Sequence, residues 1–106
     1  MSEEKLYVVV RRDLSPGQQL AQALHASDAF AVAHPQVKHD WMKRSNTLAV
    51  LSVDNEQQLE WLERTAFEKN INFASFREPD IGDSLTAVVI EPQGKCLCRK
   101  LRLAGR

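Results

Sequence analysis

No stretch of this chain is long and apolar enough to span a bilayer, and cysteine is nearly missing, with two in 106 residues. The first absence sets aside a role inside a membrane. The start, Met1-Ser2-Glu3-Glu4, lacks the basic flank of a secretory signal, so export is not expected. Cys96 and Cys98 stand one residue apart, too close to staple a fold, and such sparing use fits a reducing compartment, the cytoplasm. A Cys-x-Cys pair brings two ligands where a closed metal site needs four, and no other cysteine exists. Glycine and proline number four each, and neither gathers into a linker or a low-complexity segment. An excess of one charge is missing too, since fourteen bases balance fourteen acids.

That balance hides an asymmetry. All fourteen acids lie between Glu3 and Glu91 among only nine bases, while residues 92–106 hold Lys95, Arg99, Lys100, Arg102 and Arg106 and no acid. The body is therefore near −5 and the tail near +5. A basic tail can meet a polyanion or dock on its own acidic body, and composition does not choose between them. A chain of this length with 43% hydrophobic residues is expected to form one domain over residues 1–106.

Periodicity then supplies the elements. Residues 5–10 are apolar on consecutive positions and read as a central strand. Ser15 and Pro16 open a helix that runs to about His34, where Pro35 stops it. Trp41 and Met42 fall in a second short helix. Residues 47–53 form the next strand, and Asp54 with Gln57 reads as a capping box for a helix carrying Leu59, Leu62 and Phe67. Strands over 72–76 and 85–90 follow, and the leucines of the tail suggest a terminal helix or a fifth strand. Two strand–helix–strand crossovers make the first three strands parallel, so their carboxyl ends share one edge. The loops at 11–17 and 77–83 must then lie together at that edge, which is where such sheets place their chemistry.

The first of those loops begins the most informative stretch, Arg11 to Ala26. With about 100° between successive helical residues, Gln18, Gln22 and His25 line up, while Leu20, Ala23, Leu24, Ser27 and Ala31 cluster opposite and are expected to face the sheet. The competing reading of the polar line is a plain solvated stripe. Its position favours chemistry, because a helix N-terminus near Gly17 offers free N–H groups to an anion or a developing oxyanion. Across the edge, Glu78 or Asp80 can take a proton from water if a neighbour or burial raises its pKa. Arg11, Arg12 and Arg77 can hold phosphates, or simply pair with Asp13, Glu78 or Asp80. Asp13 itself suits a turn. His34 and His39 read as surface residues, and Trp41 and Trp61 as core or cover rather than platforms for bases.

At these residues the chain resembles the type 2 peptidyl-tRNA hydrolase family. Arg11-Arg12-Asp13-Leu14 and then Gly17-Gln18-Gln19-Leu20-Ala21-Gln22-Ala23-Leu24-His25-Ala26 match the family's R-x-D-L and G-K-x-A-A-Q-x-x-H-A in register. Arg77-Glu78-Pro79-Asp80 and the run from Thr86 to Pro92 echo its later block. The resemblance implies a three-layer α/β/α sandwich around a mixed four-stranded sheet, three strands parallel and one antiparallel. The crossovers agree, since with the order 2-1-4-3 they run in opposite directions and put their helices on opposite faces. It implies hydrolysis of the ester between a peptide and the 3′ end of tRNA, with no metal or organic cofactor. Gln18, Gln22, His25, Glu78 and Asp80 then fall at the catalytic positions, and Arg11, Arg12, Asp13, Gly17, Arg77 and Thr86 at substrate-binding ones. The implied partner is peptidyl-tRNA, with no membrane, and a homodimer is allowed. Gln18 stands where the family has lysine, and Glu78 where it has aspartate. A glutamine donates a hydrogen bond but cannot balance charge, so the alternative is a non-catalytic relative that binds tRNA, another RNA or a protein.

Overall fold

The structure is a computed structural model and describes residues 4–105. In chain order the elements are β1 (Lys5–Arg11), α1 (Pro16–Ala33), α2 (Pro35–Arg44), β2 (Thr47–Val53), α3 (Glu56–Glu68), β3 (Phe73–Glu78), β4 (Ser84–Ile90), α4 (Lys95–Cys98) and β5 (Arg102–Leu103). They build one mixed sheet in the order β3-β4-β1-β2-β5. Strands β1 and β2 are parallel, β4 is antiparallel to both β1 and β3, and β5 runs antiparallel along β2. The sheet thus has five strands rather than four. The tail resolves the helix-or-strand question by making a short piece of each.

Alternation along the strands sends successive side chains to opposite faces, and each face carries its own core. Val9, Leu51, Val53, Val88 and Ile90 pack under α3 through Leu59, Leu62 and Ala66. Leu6, Val8, Val10, Ala87 and Val89 pack under α1 and α2 through Ala26, Phe30 and Trp41. Strand β1 is buried on both faces, which is why it reads as a continuous apolar run. The tail starts on the α3 side, where Cys98 is buried and Leu97 and Leu101 pack against the core, and crosses the β2 edge so that Ala104 packs on the α1 side. Its path is tight: a Cβ on Gly94 would strike the side chains of Ile90 and Ile71.

Local chemistry sets the ends of the helices. Ser15 caps α1 in a full capping box with Gln18, and Pro16 takes the first turn. Asn55 caps α3 by accepting from the Gln58 N–H, one residue later than the Asp54–Gln57 pairing expected. Phe67 is not core; Ala66 is buried in its place, and Phe67 lies on the surface. His34 is half-buried, stacked at a tilt on Phe30 and bonded to the Phe73 carbonyl at 2.9 Å, so it ties α1 to β3. Trp41 is core as expected, donating from Nε1 to the Thr47 carbonyl at 3.0 Å.

Candidate active site

The carboxyl ends of β1 and β3 lie at the same edge of the sheet, as parallel topology requires, with the start of β4 between them. Arg11, the last residue of β1, reaches the start of β4, donating from Nη1 to Ser84 Oγ at 2.6 Å and to the Leu85 carbonyl at 3.2 Å. Its Nε and Nη2 hold the Asp13 carboxylate at 2.9 Å each. Asp13 in return raises the Arg11 pKa, and the Arg11 guanidinium holds the Asp13 carboxyl below the usual carboxylate range. The loop joining β3 to β4 is closed by Gly82 and Asp83, both with left-handed backbone (φ 68° and 59°). The Asp83 N–H returns to the Glu78 carbonyl at 2.9 Å.

The centre of the arrangement is Gln22, which is 6% exposed. Its Nε2 donates to Glu78 Oε1 at 2.9 Å, and its Oε1 accepts from the Thr86 hydroxyl at 2.6 Å. Thr86 reaches α1 because of a bulge. Phe76 pairs with Ala87 and Arg77 with Leu85, so Thr86 has no partner on β3. Plain alternation would send Thr86 with Val88 to the α3 face; the extra residue turns it toward α1 instead. Glu78 also accepts from the Asp80 N–H at 3.3 Å. Hydrogen bonds from Gln22 and from that N–H, with the nearby His25, hold the Glu78 carboxyl below its ordinary pKa. A carboxylate that takes a proton from water near neutral pH is expected to have a raised value. The structure gives the reverse, because both donors favour the charged form.

The line of Gln18, Gln22 and His25 is rotated from the expected one. Leu20 and Leu24, assigned to the sheet, are 67% and 70% exposed, while Gln19, Gln22, Ala26 and Phe30 face inward. Gln19 is satisfied there, its Nε2 donating to the Leu14 carbonyl at 2.8 Å and its Oε1 accepting from the Gly105 N–H at 3.3 Å. His25 is exposed and lies flat on Phe76, with ring centroids 4.6 Å apart and planes at 16°. Gln18 is exposed with its Oε1 committed to the Ser15 N–H at 3.0 Å, and its own N–H is taken by Ser15 Oγ. Gly17, beside it, contributes a first-turn N–H that no described residue accepts. Asp80 has an exposed side chain and enters the network through its backbone.

The remaining candidates separate. Arg12 is ion-paired with Asp54 at the surface beside the first loop. Arg77 points to the other face, where it meets Glu63 at 3.1 Å, and Ser75 donates to the same carboxylate at 2.6 Å. Arg11 is 14% exposed at its side chain and has every nitrogen engaged, so it fastens the edge. Sequence reasoning does not find Glu56, which accepts from the Leu85 N–H at 2.8 Å and joins α3 to the first residues of β4. Its position in the first turn of α3 is the only available signal. Among the described residues, no three His, Cys, Asp or Glu side chains converge as metal ligands. No helix among them is long and apolar enough to cross a membrane. A cavity of about 450 Å³ lined by Trp41, Arg44, Asn72 and Glu91 lies at the opposite edge of the sheet, away from Gln22.

Comparison with known proteins gives three results. A sequence model described as peptidyl-tRNA hydrolase PTH2 matches residues 4–102. No protein of curated function gives a significant match. The fold is similar to a solved structure, titled as a protein of unknown function from Agrobacterium tumefaciens, at 11% identity and a TM-score of 0.70. The match covers 97% of this chain and 98% of that one.

Proposed function

Because this chain belongs to the type 2 peptidyl-tRNA hydrolase family, we propose that it hydrolyses the ester between a peptide and the 3′ end of tRNA in the cytoplasm. The observation that carries this is Gln22, a buried carboxamide fixed between the Thr86 hydroxyl and the Glu78 carboxylate. Both ends of that carboxamide are determined, so its second N–H has one direction to point. Glu78 spends one bond from Gln22 and one from the Asp80 N–H, and keeps lone pairs for a water.

In this reading Glu78, kept ionised by its two donors and therefore a weaker base than a carboxylate of raised pKa, takes a proton from water as the oxygen attacks the ester carbonyl carbon. The carbonyl oxygen becomes an oxyanion, held by the remaining N–H of Gln22, the Gly17 N–H and the free amide of Gln18. The intermediate then expels the ribose oxygen, which receives the proton from Glu78. The products are a peptide acid and a free tRNA 3′ end. His25 on Phe76 forms the wall beside Glu78, and its Coulombic effect on Glu78 supports placing it next to the reacting water. Arg12 is the base at this rim for the tRNA backbone.

The test is to incubate the purified chain with an N-blocked aminoacyl-tRNA and follow release of the blocked amino acid above the buffer rate. Cleavage that falls by at least about a hundredfold in Glu78→Gln supports the reading. No cleavage by the parent chain overturns it. One observation favours a second reading, a tRNA-binding relative without catalysis. Gln18 replaces the family lysine and commits its Oε1 to the helix cap.

A further inference from the structure

The basic tail docks on the body, but not through its charges. Cys98 is buried, and Leu97 and Leu101 pack on the α3-side core. Lys95, Arg99, Lys100 and Arg102 all stay exposed, and among the described residues none of them lies within ion-pair distance of a carboxylate. Apolar packing holds the segment in place and leaves its positive charge unspent.

Beside these bases stands a tryptophan that covers the core with one side, next to Val53, Leu62 and Leu101, and leaves the other open. Trp61 is 52% exposed. It lines a groove of about 520 Å³ with Cys96, Leu97, Arg99 and Lys100. A half-exposed indole keeps an open aromatic face on which another ring can stack. The charges of α3 sort themselves around it. Glu56 and Glu63 are turned to β3 and β4, where they accept from the Leu85 N–H, Ser75 and Arg77. Glu60 lies about 100° around the helix from Trp61. Arg64, also exposed, lies one turn along from both Trp61 and Glu60, with Glu68 one turn further, so its charge is already flanked by acids. The groove therefore combines a flat aromatic face with two cations, Arg99 and Lys100, and none of its lining residues is acidic.

We propose that this α3–α4 face is a second RNA-binding surface, in which an unpaired nucleobase stacks on Trp61 while Arg99 and Lys100 hold the flanking phosphates. An aromatic platform among cations is how proteins hold single-stranded nucleic acid without reading its sequence. The proposal rests on the tRNA reading above and extends the bound surface over the edge from Gln22 to the α3 face. It assigns the unspent charge of the tail to the substrate.

Equilibrium binding of deacylated tRNA to the full chain, measured across a salt series, tests it. Arg99→Glu with Lys100→Glu should weaken binding about tenfold or more and lower the log–log salt slope by about 2, one unit or slightly less for each phosphate no longer neutralised. Trp61→Ala should weaken it about fivefold or more, with Trp61→Phe restoring most of the affinity, because phenylalanine also stacks. Trp61 fluorescence should be quenched on binding. An unchanged affinity and slope in the double variant overturns the proposal, as does equal binding by Trp61→Ala and the parent. The two readings fail separately. Trp61-dependent binding without ester cleavage removes the hydrolase and keeps this surface. Cleavage with tRNA affinity indifferent to all these substitutions does the opposite.

Discussion

Gln22 Nε2 lies 2.9 Å from Glu78 Oε1, although 56 residues separate them in the chain. The pair joins the helix after β1 to the end of β3, and it exists because β1 and β3 point the same way with β4 between them. The bond is also the first cause of the lowered Glu78 pKa. One carboxamide thus links topology, ionisation and the proposed chemistry.

That linkage gives a pH prediction. A carboxyl whose folded pKa lies below its unfolded one adds stability above the unfolded value and loses it as pH falls through the folded value. For Glu78 the window begins near the 4.5 of a free glutamate and extends to more acidic pH. Carbon-13 titration of the Glu78 carboxyl should therefore give a midpoint below 4.5 in the parent chain. In Gln22→Met it should move upward, toward the ordinary value. If the chain cleaves ester, the acid limb of its pH–rate profile should move in the same direction. A Glu78 midpoint identical in both proteins would break the argument.

The Thr86–Gln22 bond is predicted to be coupled energetically. Gln22→Met removes the acceptor of a buried hydroxyl and Thr86→Val removes the donor. Each should cost about 1–3 kcal/mol, mostly from polar groups left without their partner. Because the two residues touch, the double variant should cost less than the sum, by about 0.5–3 kcal/mol. Denaturant unfolding of the four proteins measures this without any activity assay. Additive destabilisation would mean that the 2.6 Å bond is not formed in solution.

Much of this fold is legible in the sequence, and the exceptions have physical causes. The strand at 47–53 agrees to the residue, because its β-branched apolar run is bounded by polar residues. The order 2-1-4-3 holds: the crossover from β1 to β2 and the one from β2 to β3 run in opposite directions and put their helices on opposite faces, and β5 then extends the β2 edge. The face of α1 is the opposite of the one its leucines suggest. Leu20 and Leu24 look like core and Gln22 like part of a surface line, yet the helix is turned the other way. Buried glutamines are tolerated when both ends are bonded: Gln22 bonds the distant Thr86 and Glu78, and Gln19 bonds the nearby Leu14 carbonyl and the distant Gly105 N–H. The bulge that delivers Thr86 has no local mark. What the sequence does hold is the spacing of Gln19, Gln22, Ala23, Ala26 and Phe30, itself a helical face. The candidates likewise divide by strand alternation, with Glu78 beside Gln22 and Arg77 on the far side against Glu63.

The two thiols should differ sharply. Cys96 is exposed, whereas burial pushes the Cys98 thiol up to about 12. The thiolate is the reactive form, so at pH 8 an aromatic disulfide reagent should label one equivalent quickly and the second only after denaturant is added. A group with a raised folded pKa contributes stability that is intact below the unfolded value, here 9.0, and is lost as pH rises toward about 12. Alkaline unfolding of the parent should accordingly begin above pH 9 and be delayed in Cys98→Ala. Two equally fast thiols would place the tail off the body.

The last prediction concerns Gln18, where the family's lysine would stand. Its Oε1 accepts from the Ser15 N–H at 3.0 Å and so completes the cap of α1. Lysine has no acceptor, so Gln18→Lys must give up that half of the capping box. The destabilisation is expected to be about 0.5–1 kcal/mol, or roughly 2–6 °C in Tm for a domain of this size. The return is charge: an ammonium donates to an oxyanion about 1–1.5 kcal/mol better than a neutral amide, which corresponds to roughly a tenfold gain in kcat. Stability and rate should thus move in opposite directions in one variant. Thermal unfolding and N-blocked aminoacyl-tRNA cleavage, run on the same preparation, measure the two. A lower Tm with no gain in rate would mean that the helix start does not face the reacting carbonyl. The cap would then be the whole role of Gln18, and the binding reading would gain over the hydrolytic one.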